Sequence, residues 1–492
     1  RAFLELCHAQ TCGKCVPCRI GLGQLNNFIR EVLDGKATMK TLDIMEQTAL
    51  SIMESADCAI GYEAANMVYK GLIGYRDDYI EHIQNGRCTC TYNQPVPCVS
   101  LCPAHVDIPG YIALVGEGRY ADAIRLLRKD NPFPTTCGFI CEHPCEARCR
   151  RNMVDDSINI RGLKRVAADF AGEVDPPQCA PSTGKKIAIL GGGPGGLSAA
   201  YYLQLMGHQT TVYEMLPELG GMLRYGIPNY RLPKERLDDD IRAILKTGVQ
   251  VKNGLKIGQD ITIQELRQQY DVVLITIGAS TDKKLGLENE DADGIISAVQ
   301  FLRNVGKNQI IDLTGKEVVV IGGGNVSMDA VRTAKRLGAK KVSIVYRRRV
   351  ADMTALPGEI EGAVAEGIEL QTLKAPASID VDGNHHVKGI YVTPQMVSSI
   401  RDGRASIKPT GEEDIYIPCD VLIVAIGQNI ETHHFEQAGI PVERGKIITK
   451  STGAFENLPG VFAGGDCASG PASVIKAIAA AKVVAANIDE YL

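Results

Sequence analysis

The sequence predicts an α/β protein in which two Rossmann-like nucleotide-binding domains follow small α-helical, cysteine-rich domains. Three observations lead to this fold class. From Lys185 onward, runs rich in Val and Ile alternate with glycine turns and helical patterns, which is typical of doubly wound parallel sheets. Two of these runs, beginning near residues 187 and 318, lead directly into glycine-rich loops. Thirteen of the 16 cysteines precede residue 150, so the first third of the chain has a different chemistry.

Length and charge set the outer limits of this organisation. A chain of 492 residues is too long for one hydrophobic core, so several packed units are expected. The net charge of −5 gives no indication of nucleic-acid binding. The longest uncharged stretch, residues 187–207, is interrupted by glycines and Pro194, so it predicts a strand, a loop and a helix, and no membrane span is expected. No secretory signal opens the sequence, and a cytoplasmic location is expected.

The N-terminal region divides into two predicted helical domains. Residues 1–85 show helical periodicity and form the first. Residues 86–180 form the second, in which two blocks of cysteines flank an amphipathic segment, Ile112–Leu127. A linker rich in Pro, Ser, Thr and Gly at residues 175–184 indicates a domain boundary before the first nucleotide-binding fold.

The first nucleotide-binding motif follows the strand that begins at Ile187. Gly191, Gly193 and Gly196 stand in G-x-G-x-x-G register between this strand and an uncharged helix. In such a motif the glycines permit a tight turn, close approach of a pyrophosphate, and close helix–strand packing. The next strand ends at Glu214, an acid suited to ribose hydroxyls. The alternative is a purely structural glycine loop.

The second motif has a different nucleotide preference. Gly322 and Gly324 follow the strand at 318, and Ser327 takes the third glycine position. The next strand ends in a run of arginines, Arg347, Arg348 and Arg349, where the first motif has its acid. Guanidinium groups at this place pair with a 2′-phosphate, so the sequence predicts NADP(H). The alternative is a solvated run of charges.

Two dinucleotide sites of different class predict hydride transfer between a nicotinamide and a second nucleotide. Such transfer to a flavin requires alignment and exclusion of water more than acid–base chemistry. No catalytic side chain is therefore predicted.

The cysteines are spaced for iron–sulfur clusters. Cys12, Cys15 and Cys18 in C-x-x-C-x-x-C spacing supply three thiolates to one cluster, and Cys58 fits as the fourth ligand. Eight further cysteines suffice for two more clusters: Cys88, Cys90, Cys98, Cys102, Cys137, Cys141, Cys145 and Cys149. Zinc bound by four thiolates is an alternative for the first set, and disulfides are a general alternative. A spacing of four residues also suits one face of a helix, against which Pro144 argues.

From about Arg87 to the C-terminus, the sequence resembles the small subunit of glutamate synthase. The segments that carry the resemblance are Leu219–Lys234, Val345–Arg349, Ala425–Gln428 and Ala463–Asp466. Relatives in this family include the FAD subunit of the electron-bifurcating NADH-dependent ferredoxin:NADP oxidoreductase, a transhydrogenase. The resemblance implies a glutathione-reductase-like pair of domains, with an FAD-binding domain at 181–280 and 428–492 and an NADP-binding domain inserted at 281–427.

The same resemblance assigns roles to single residues. Gly221 and Arg231 belong to a loop on the flavin side, and Asp466 meets the FAD ribityl or pyrophosphate, with a helix from Ala472 capping the cofactor. A plain helix-capping role is the alternative for Asp466.

The resemblance also implies how the eight cysteines are shared. One 4Fe–4S cluster takes Cys88, Cys90, Cys98 and Cys149, and the other takes Cys102, Cys137, Cys141 and Cys145. The first block is spaced C-x-C-x7-C instead of C-x-x-C-x4-C, which weakens the assignment of its first two members. Where some relatives supply Gln or Glu, this chain has Leu163–Arg165, so Cys137 is taken as the replacement ligand.

Residues 1–85 resemble a different family, the cluster-binding C-terminal domain of the NADH-binding subunit of complex I and related hydrogenase subunits. Thr11–Arg19 and Ala56–Gly61 carry this resemblance. Together, the resemblances imply an NADP(H)–FAD oxidoreductase subunit with three 4Fe–4S clusters in a transhydrogenase, hydrogenase or formate dehydrogenase complex of an anaerobe. Its partners would be other redox subunits, including FMN- and NAD-binding ones, or ferredoxin. A glutamate synthase small subunit and a non-catalytic cluster-binding adaptor are the alternatives.

Overall fold

The computed structural model describes residues 1–85, 96–309, 311–401 and 404–492. These residues form two compact units, whose boundary lies between Pro95 and Val96. Each unit has its own core.

The N-terminal unit is helical. Its fully buried side chains include Leu22, Leu25, Leu42 and Met45, and they come from the apolar faces of successive helices. The helices are Ala2–Ala9, Leu22–Leu33, Met39–Ser55, Ala59–Gly74 and Arg76–Asn85, with a π-helical turn at Pro17–Gly21.

Short helices also make up the cysteine-rich part of the second unit. They are Pro97–Leu101, Ile108–Gly116, Tyr120–Leu127, Pro134–Ile140, Pro144–Ala147 and Ile160–Phe170, with a 3-10 turn at Arg150–Met153. The amphipathic segment Ile112–Leu127 falls on two helices. Gly118, at φ 72°, ends the first helix, and the next begins at Tyr120.

The first Rossmann sheet has five parallel strands. In spatial order they are Val461–Ala463, Val272–Ile275, Lys186–Leu190, Gln209–Glu214 and Gln250–Asn253. The helices in this part of the chain are Pro194–Leu205, Met222–Tyr225, Lys234–Leu245, Ile263–Gln269, His433–Gln437, Asp466–Ser469 and Val474–Tyr491.

The second Rossmann sheet also has five parallel strands. In spatial order they are Ile295–Ser297, Val421–Val424, Glu317–Ile321, Lys341–Tyr346 and Glu369–Thr372. Its accompanying helices are Ala298–Gly306, Asn325–Arg336 and Pro357–Ala365, with a 3-10 turn at Val350–Asp352. All five strands fall between two strands of the first sheet along the chain. Where the chain passes between the sheets, Thr281–Asp282 pairs antiparallel with Gln428–Asn429. The two parallel sheets and the helical N-terminal region confirm the predicted fold class.

An antiparallel sheet lies along the chain between the strands Glu369–Thr372 and Val421–Val424 of the second Rossmann sheet, and it was not expected from the sequence. Its strands are Lys374–Val381, Val387–Arg401, Arg404–Pro409 and Ile415–Pro418. A two-stranded ribbon, Val442–Glu443 with Lys446–Ile447, completes the described strands. None of the described helices combines the length and apolar character needed to cross a bilayer.

Candidate functional site

The first glycine loop packs so closely at Gly191 and Gly196 that neither position has room for a side chain. A Cβ on Gly191, at φ 112°, would lie 2.5 Å from the carbonyl oxygen of Thr276. A Cβ on Gly196 would lie 1.9 Å from the carbonyl oxygen of Gly191. Pro194 then starts the helix, where its missing N–H costs nothing. The turn therefore needs glycine for both its backbone conformation and its helix–strand contact.

Glu214 lies at the end of the second strand, where the sequence predicts it. Its Oε2 accepts a hydrogen bond from the Gly192 N–H at 2.7 Å, and its Oε1 accepts one from the Leu216 N–H at 2.8 Å. Burial raises the pKa of this carboxyl, and the two N–H donors oppose the rise. Glu214 thus holds the glycine loop while its carboxylate also lines the adjoining cavity.

A cavity of about 110 Å³ opens above this loop. Two polar atoms buried beside it have no hydrogen-bond partner among the described residues, Oδ1 of Asp466 and Nε of Arg303. Gly221, at φ 52°, also lines the cavity and packs closely against the loop, because a Cβ there would lie 2.8 Å from the Cα of Gly193. The orphaned polar atoms and the glycine-lined wall fit a bound dinucleotide such as FAD.

Asp466 has no capping bond in the short helix that it begins. Gly465 is the N-cap of Asp466–Ser469, and no side chain caps that helix. Burial raises the pKa of Asp466, and the Ala472 N–H opposes this rise. The helix expected from Ala472 starts at Val474.

The second glycine loop has the same form with one difference. A Cβ on Gly322, at φ 144°, would lie 2.3 Å from the carbonyl oxygen of Ala425. Gly324 is the N-cap of the helix Asn325–Arg336. Ser327, in the third glycine position, is fully buried, and its hydroxyl lies 3.5 Å from the Ala425 carbonyl oxygen. At the third glycine position, the second loop thus accommodates the small side chain of Ser327, whereas the first loop has no room for a side chain at Gly196.

The three arginines after the strand Lys341–Tyr346 differ in their surroundings. Arg349 is bound to Asp352 by two hydrogen bonds, at 2.8 and 2.9 Å, and holds the pKa of that carboxyl far below its usual range. Arg348 donates from Nε to the Ala405 carbonyl at 3.0 Å. Arg347 is exposed and forms no hydrogen bond or ion pair within the described residues. Arg347 therefore has the guanidinium most available to a nucleotide phosphate.

A second cavity, of about 200 Å³, lies where three parts of the chain meet. Met222 and Asp466 line it from the first Rossmann part, and Asn325 and Val326 line it from the second. Ile140, from the cysteine-rich part, also lines it and immediately precedes Cys141. This cavity adjoins both glycine loops and one cysteine set.

Arg231 closes one side of this cavity. Its Nη1 lies 2.8 Å from each carboxylate oxygen of Asp329, and its Nε lies 3.1 Å from Glu359. Although its loop belongs to the first Rossmann part, its partners belong to the second. The structure thus places Arg231 as a link between the two nucleotide-binding parts.

The N-terminal cysteines are grouped as the spacing predicts. Burial, together with the nearby thiols of Cys15, Cys58 and Cys12, raises the pKa of Cys18 to about 11. A Cβ on Gly61 would lie 2.7 Å from the Cys18 sulfur, so glycine leaves room for this thiol. The four predicted ligands therefore occupy one region of the unit.

In the second set of cysteines, Cys98 lies near Cys149 and Cys102. Burial raises the pKa of Cys98, and Cys149 and Cys102 raise it further. Cys88 and Cys90 lie outside the described residues.

The remaining four cysteines, Cys102, Cys137, Cys141 and Cys145, are the ligands that the resemblance assigns to the other cluster. Burial, together with the nearby thiols of Cys141 and Cys102, raises the pKa of Cys145 to about 12. Burial also raises the pKa of Cys137, and Cys141 adds to that rise. The helix Pro134–Ile140 ends before Cys141, so the spacing of four does not mark one helix face.

The thiols suit clusters chemically. Every cysteine in the described ranges is a free thiol. Those ranges hold no group of three or more Cys, His, Asp or Glu side chains placed to bind a single metal ion. A 4Fe–4S cluster instead takes one thiolate at each of four separate irons, so its ligands need not converge on one point.

Arg303 and Asp329 were not found by sequence reasoning. Arg303 lies in the helix Ala298–Gly306, which follows a strand of the second sheet, yet it reaches the cavity above the first glycine loop. Asp329 lies two residues beyond Ser327 in the second motif. An acid on a largely apolar helix face was the sequence signal that could have identified it.

Comparisons with known proteins match this division of the chain. Residues 185–481 match the family of pyridine nucleotide-disulphide oxidoreductases. Residues 1–82 match the NADH-ubiquinone oxidoreductase-F iron–sulfur binding region, and residues 74–175 match dihydropyrimidine dehydrogenase domain II, 4Fe–4S cluster. The expected FAD, NAD(P) and iron–sulfur cofactors are confirmed at this level, with two 4Fe–4S domains, while the number of three clusters stays a prediction.

Three curated relatives are similar to most or all of this chain. The chain is 32% identical over 564 aligned positions to the NADP(+)-dependent formate dehydrogenase subunit beta of Moorella thermoacetica, covering 100% of this chain and 79% of the relative. It is 35% identical to the NADPH-Fe(3+) oxidoreductase subunit beta of Geobacter sulfurreducens, covering 98% and 77%. It is 34% identical to the glutamate synthase [NADPH] small chain of Escherichia coli, covering 80% and 88%. The family resemblances drawn from the sequence are confirmed.

A solved structure has the same fold. FprA from Mycobacterium tuberculosis in complex with NADPH superposes with a TM-score of 0.54 at 21% identity, covering 63% of this chain and 84% of that chain. With a family match over residues 185–481 and related proteins along its length, the chain is an oxidoreductase that belongs to the pyridine nucleotide-disulphide oxidoreductase family.

Proposed function

We propose that this chain is the NADP(H)-reacting subunit of a heteromeric redox complex. Hydride passes between NADP(H) and FAD, and electrons pass singly through three 4Fe–4S clusters to partner subunits. The observation that carries this proposal is the cavity of about 200 Å³ that adjoins both glycine loops and the residue before Cys141. Bound flavin supplies the conversion between the two electrons of a hydride and single electrons.

The residues of the chain provide binding and alignment. The first glycine loop and Gly221 leave room for the FAD pyrophosphate. Asp466 and Arg303 each offer an unpaired polar atom to the same cofactor. A carboxylate accepts from ribityl hydroxyls, and a guanidinium pairs with phosphate. Each group thus matches a different part of the same cofactor.

The second glycine loop and the arginines after it serve NADP(H). Arg347 is free to bind a 2′-phosphate, and Arg348 keeps donors beyond the one used on Ala405. Arg231 and Asp329 hold the two nucleotide-binding parts together beside the cavity. Alignment of the two nucleotides, with water excluded, is what direct hydride transfer requires.

The cysteine sets favour a redox complex over a small two-component enzyme. The formate dehydrogenase and Fe(3+) oxidoreductase relatives align with 100% and 98% of this chain, whereas the glutamate synthase small chain aligns with 80%. The proposal therefore takes the N-terminal unit as a third cluster domain that leads to a partner. That partner is a redox subunit that binds FMN and NAD or carries clusters of its own.

Anaerobic purification of the full chain tests the proposal. We expect flavin absorbance, about twelve irons per chain for three 4Fe–4S clusters, and bleaching of the flavin by NADPH at least tenfold faster than by NADH. An iron content near eight per chain would show that only two of the three proposed clusters are present. If neither nucleotide bleaches the flavin, the proposed enzyme activity is contradicted, and a non-catalytic cluster-binding adaptor is favoured. Subunits that copurify with the chain would identify the complex.

A further inference from the structure

A further cavity, of about 280 Å³, lies where the cysteine-rich part meets the first Rossmann part. Arg128 and Thr135 line it from the cysteine-rich part, and Arg236 and Ala243 line it from the helix Lys234–Leu245. The described residues that line it include no cysteine and none of the glycines of the two nucleotide loops. A water molecule takes about 30 Å³, and pockets for small molecules begin near roughly 300 Å³. The cavity is therefore large enough for a small molecule and separate from the nucleotide loops.

Arg128 is the buried cation of this cavity, with only 6% of its surface exposed. Its Nη1 donates to the carbonyl oxygen of Val174, and its Nε is buried without a hydrogen-bond partner. In the ranges that the structure describes, no carboxylate forms an ion pair with this guanidinium. Asp240 acts on it without an ion pair, and the two carboxylate oxygens of Asp240 accept from the N–H groups of Thr135 and Thr136. A buried cation is unfavourable unless an anion compensates it, so this guanidinium lacks the partner that it requires.

The other charged side chains of the cavity pair with one another. They are three cations and three acids: Arg236, Arg242, Lys246, Asp169, Glu173 and Asp239. Arg236 lies 2.7 Å from Asp169 and 2.7 Å from Asp239, which also pairs with Arg242. Lys246 lies 2.6 Å from Glu173, and its other partner, Asp175, is 80% exposed and is not among the lining residues. The lining therefore has one positive charge in excess, which is that of Arg128.

We propose that this cavity is a binding site for a small oxyanion, a phosphate or carboxylate compound, and that Arg128 is the residue that binds the anionic group. A planar guanidinium presents N–H donors whose geometry matches the oxygens of both kinds of group. Because Nη1 is used by Val174, the unpartnered Nε is a donor left for the ligand. The bound anion contacts two parts of the chain, so it should also stabilise the folded protein.

Isothermal titration calorimetry of the full chain tests the site, with inorganic phosphate and malonate as separate probes. Potassium chloride keeps the ionic strength constant, because salt screens exposed charges. Saturating NADP⁺ occupies the 2′-phosphate site assigned to Arg347, so that the probes do not bind there. We expect one saturable site per chain for at least one probe. Binding of phosphate identifies a phosphate compound, and binding of malonate alone identifies a carboxylate compound.

Replacing Arg128 by Met removes the excess charge of the cavity. A hydrogen bond between charged groups is among the stronger ones, so the affinity for the probe should fall about tenfold or more. R125M is the matched control, because the Arg125 side chain is 61% exposed, pairs with Asp122 and is not among the lining residues. The R125M variant should bind the probe as the wild type does.

Two variants of exposed residues test the site even where R128M does not fold. The side chains of Lys246 and Glu173 are 41% and 80% exposed. K246M leaves an acid of the cavity unpaired and should weaken binding of the probe, whereas E173Q removes that acid and should strengthen binding. Exposed charges act weakly, so each change in affinity should be about twofold to fivefold.

Three outcomes would overturn the proposal. The first is the lack of saturable binding of both probes to the wild type. The second is an equal affinity of the wild type, K246M and E173Q, which would place the probe elsewhere. The third, measured without NADP⁺, is an affinity that falls in R347A but not in R128M, which would show that the probe binds at the nucleotide site instead.

Discussion

Arg231 and Asp329 join the two nucleotide-binding parts of the chain, with Nη1 of the arginine 2.8 Å from both carboxylate oxygens of the aspartate. Burial raises the pKa of Asp329 to about 6, and Arg231 opposes this rise, so the carboxylate is ionised at neutral pH. Glu359 adds a second acid at 3.1 Å from the same guanidinium. The pair lies beside the cavity in which the two nucleotides are proposed to meet.

Replacing Asp329 by Asn should weaken this link. The variant leaves a buried guanidinium with one acid fewer, which costs about 3 kcal/mol of unfolding free energy. Thermal unfolding of the holoprotein and the rate of flavin reduction by NADPH measure the effect, and both should fall. The control is E369Q, whose ion pair with Lys341 is about half exposed and contributes less than about 1 kcal/mol. Equal losses in both variants would contradict the linking role.

Replacing Arg347 by Ala should lower the use of NADPH and spare that of NADH. A hydrogen bond to a charged group contributes about 1.5–3 kcal/mol, so kcat/KM for NADPH should fall roughly tenfold to a hundredfold. Arg349 is held by Asp352, so R349A should affect both nucleotides alike. Equal effects of R347A on NADPH and NADH would show that the arginines are a solvated run of charges that does not bind the 2′-phosphate.

Replacing Gly196 by Ala should abolish flavin binding. The new Cβ would lie 1.9 Å from the Gly191 carbonyl oxygen, and neither backbone segment can move without opening the loop. A Cβ on Gly358, also in a helix, meets nothing within 4 Å, so G358A should keep full flavin content. Flavin released on heating measures the stoichiometry. Normal flavin in G196A would show that this loop does not bind the cofactor.

Replacing Cys145 by Ser should remove one cluster, or about four irons per chain. Cys145 is buried among the thiols of its group, and serine is a poor ligand for iron. Cys179 lies outside the cysteine sets and contacts the Thr247 carbonyl oxygen at 3.6 Å, so C179S should keep all the iron. Iron and acid-labile sulfide are the readouts. Undiminished iron in C145S would exclude Cys145 as a ligand.

Asp240 should make stability depend on pH. It is fully buried and accepts from the N–H groups of Thr135 and Thr136, at 3.2 and 2.7 Å. Burial raises its pKa to about 6, and the two N–H groups oppose this rise. Because the folded-state pKa lies above the unfolded value, this contribution to stability is fully present below the unfolded pKa and is lost as pH rises through about 6.

The measurable change is about 1 kcal/mol between pH 5 and pH 7. The free energy of unfolding of the wild type, relative to that of D240N, should be larger at pH 5 than at pH 7. A pH-independent difference between the two proteins would contradict the raised pKa.

Some features of the site could be predicted from sequence because they are local. Gly191, Gly193 and Gly196 are read from a single loop, since a tight turn between strand and helix restricts residue types within a few positions. Cys12, Cys15 and Cys18 are similarly local. Arg303 could not be predicted, because its role depends on the fold bringing a helix of one Rossmann part against the cavity of the other.

The sequence by itself determined the fold class, the two nucleotide motifs and the cysteine sets, because each is a short pattern that one turn or one strand–helix unit requires. Only the tertiary structure decided which arginine is free and which side chains face the shared cavity. Those properties arise from contacts between segments distant in sequence. Burial and charge pairing there depend on packing, which local patterns do not encode.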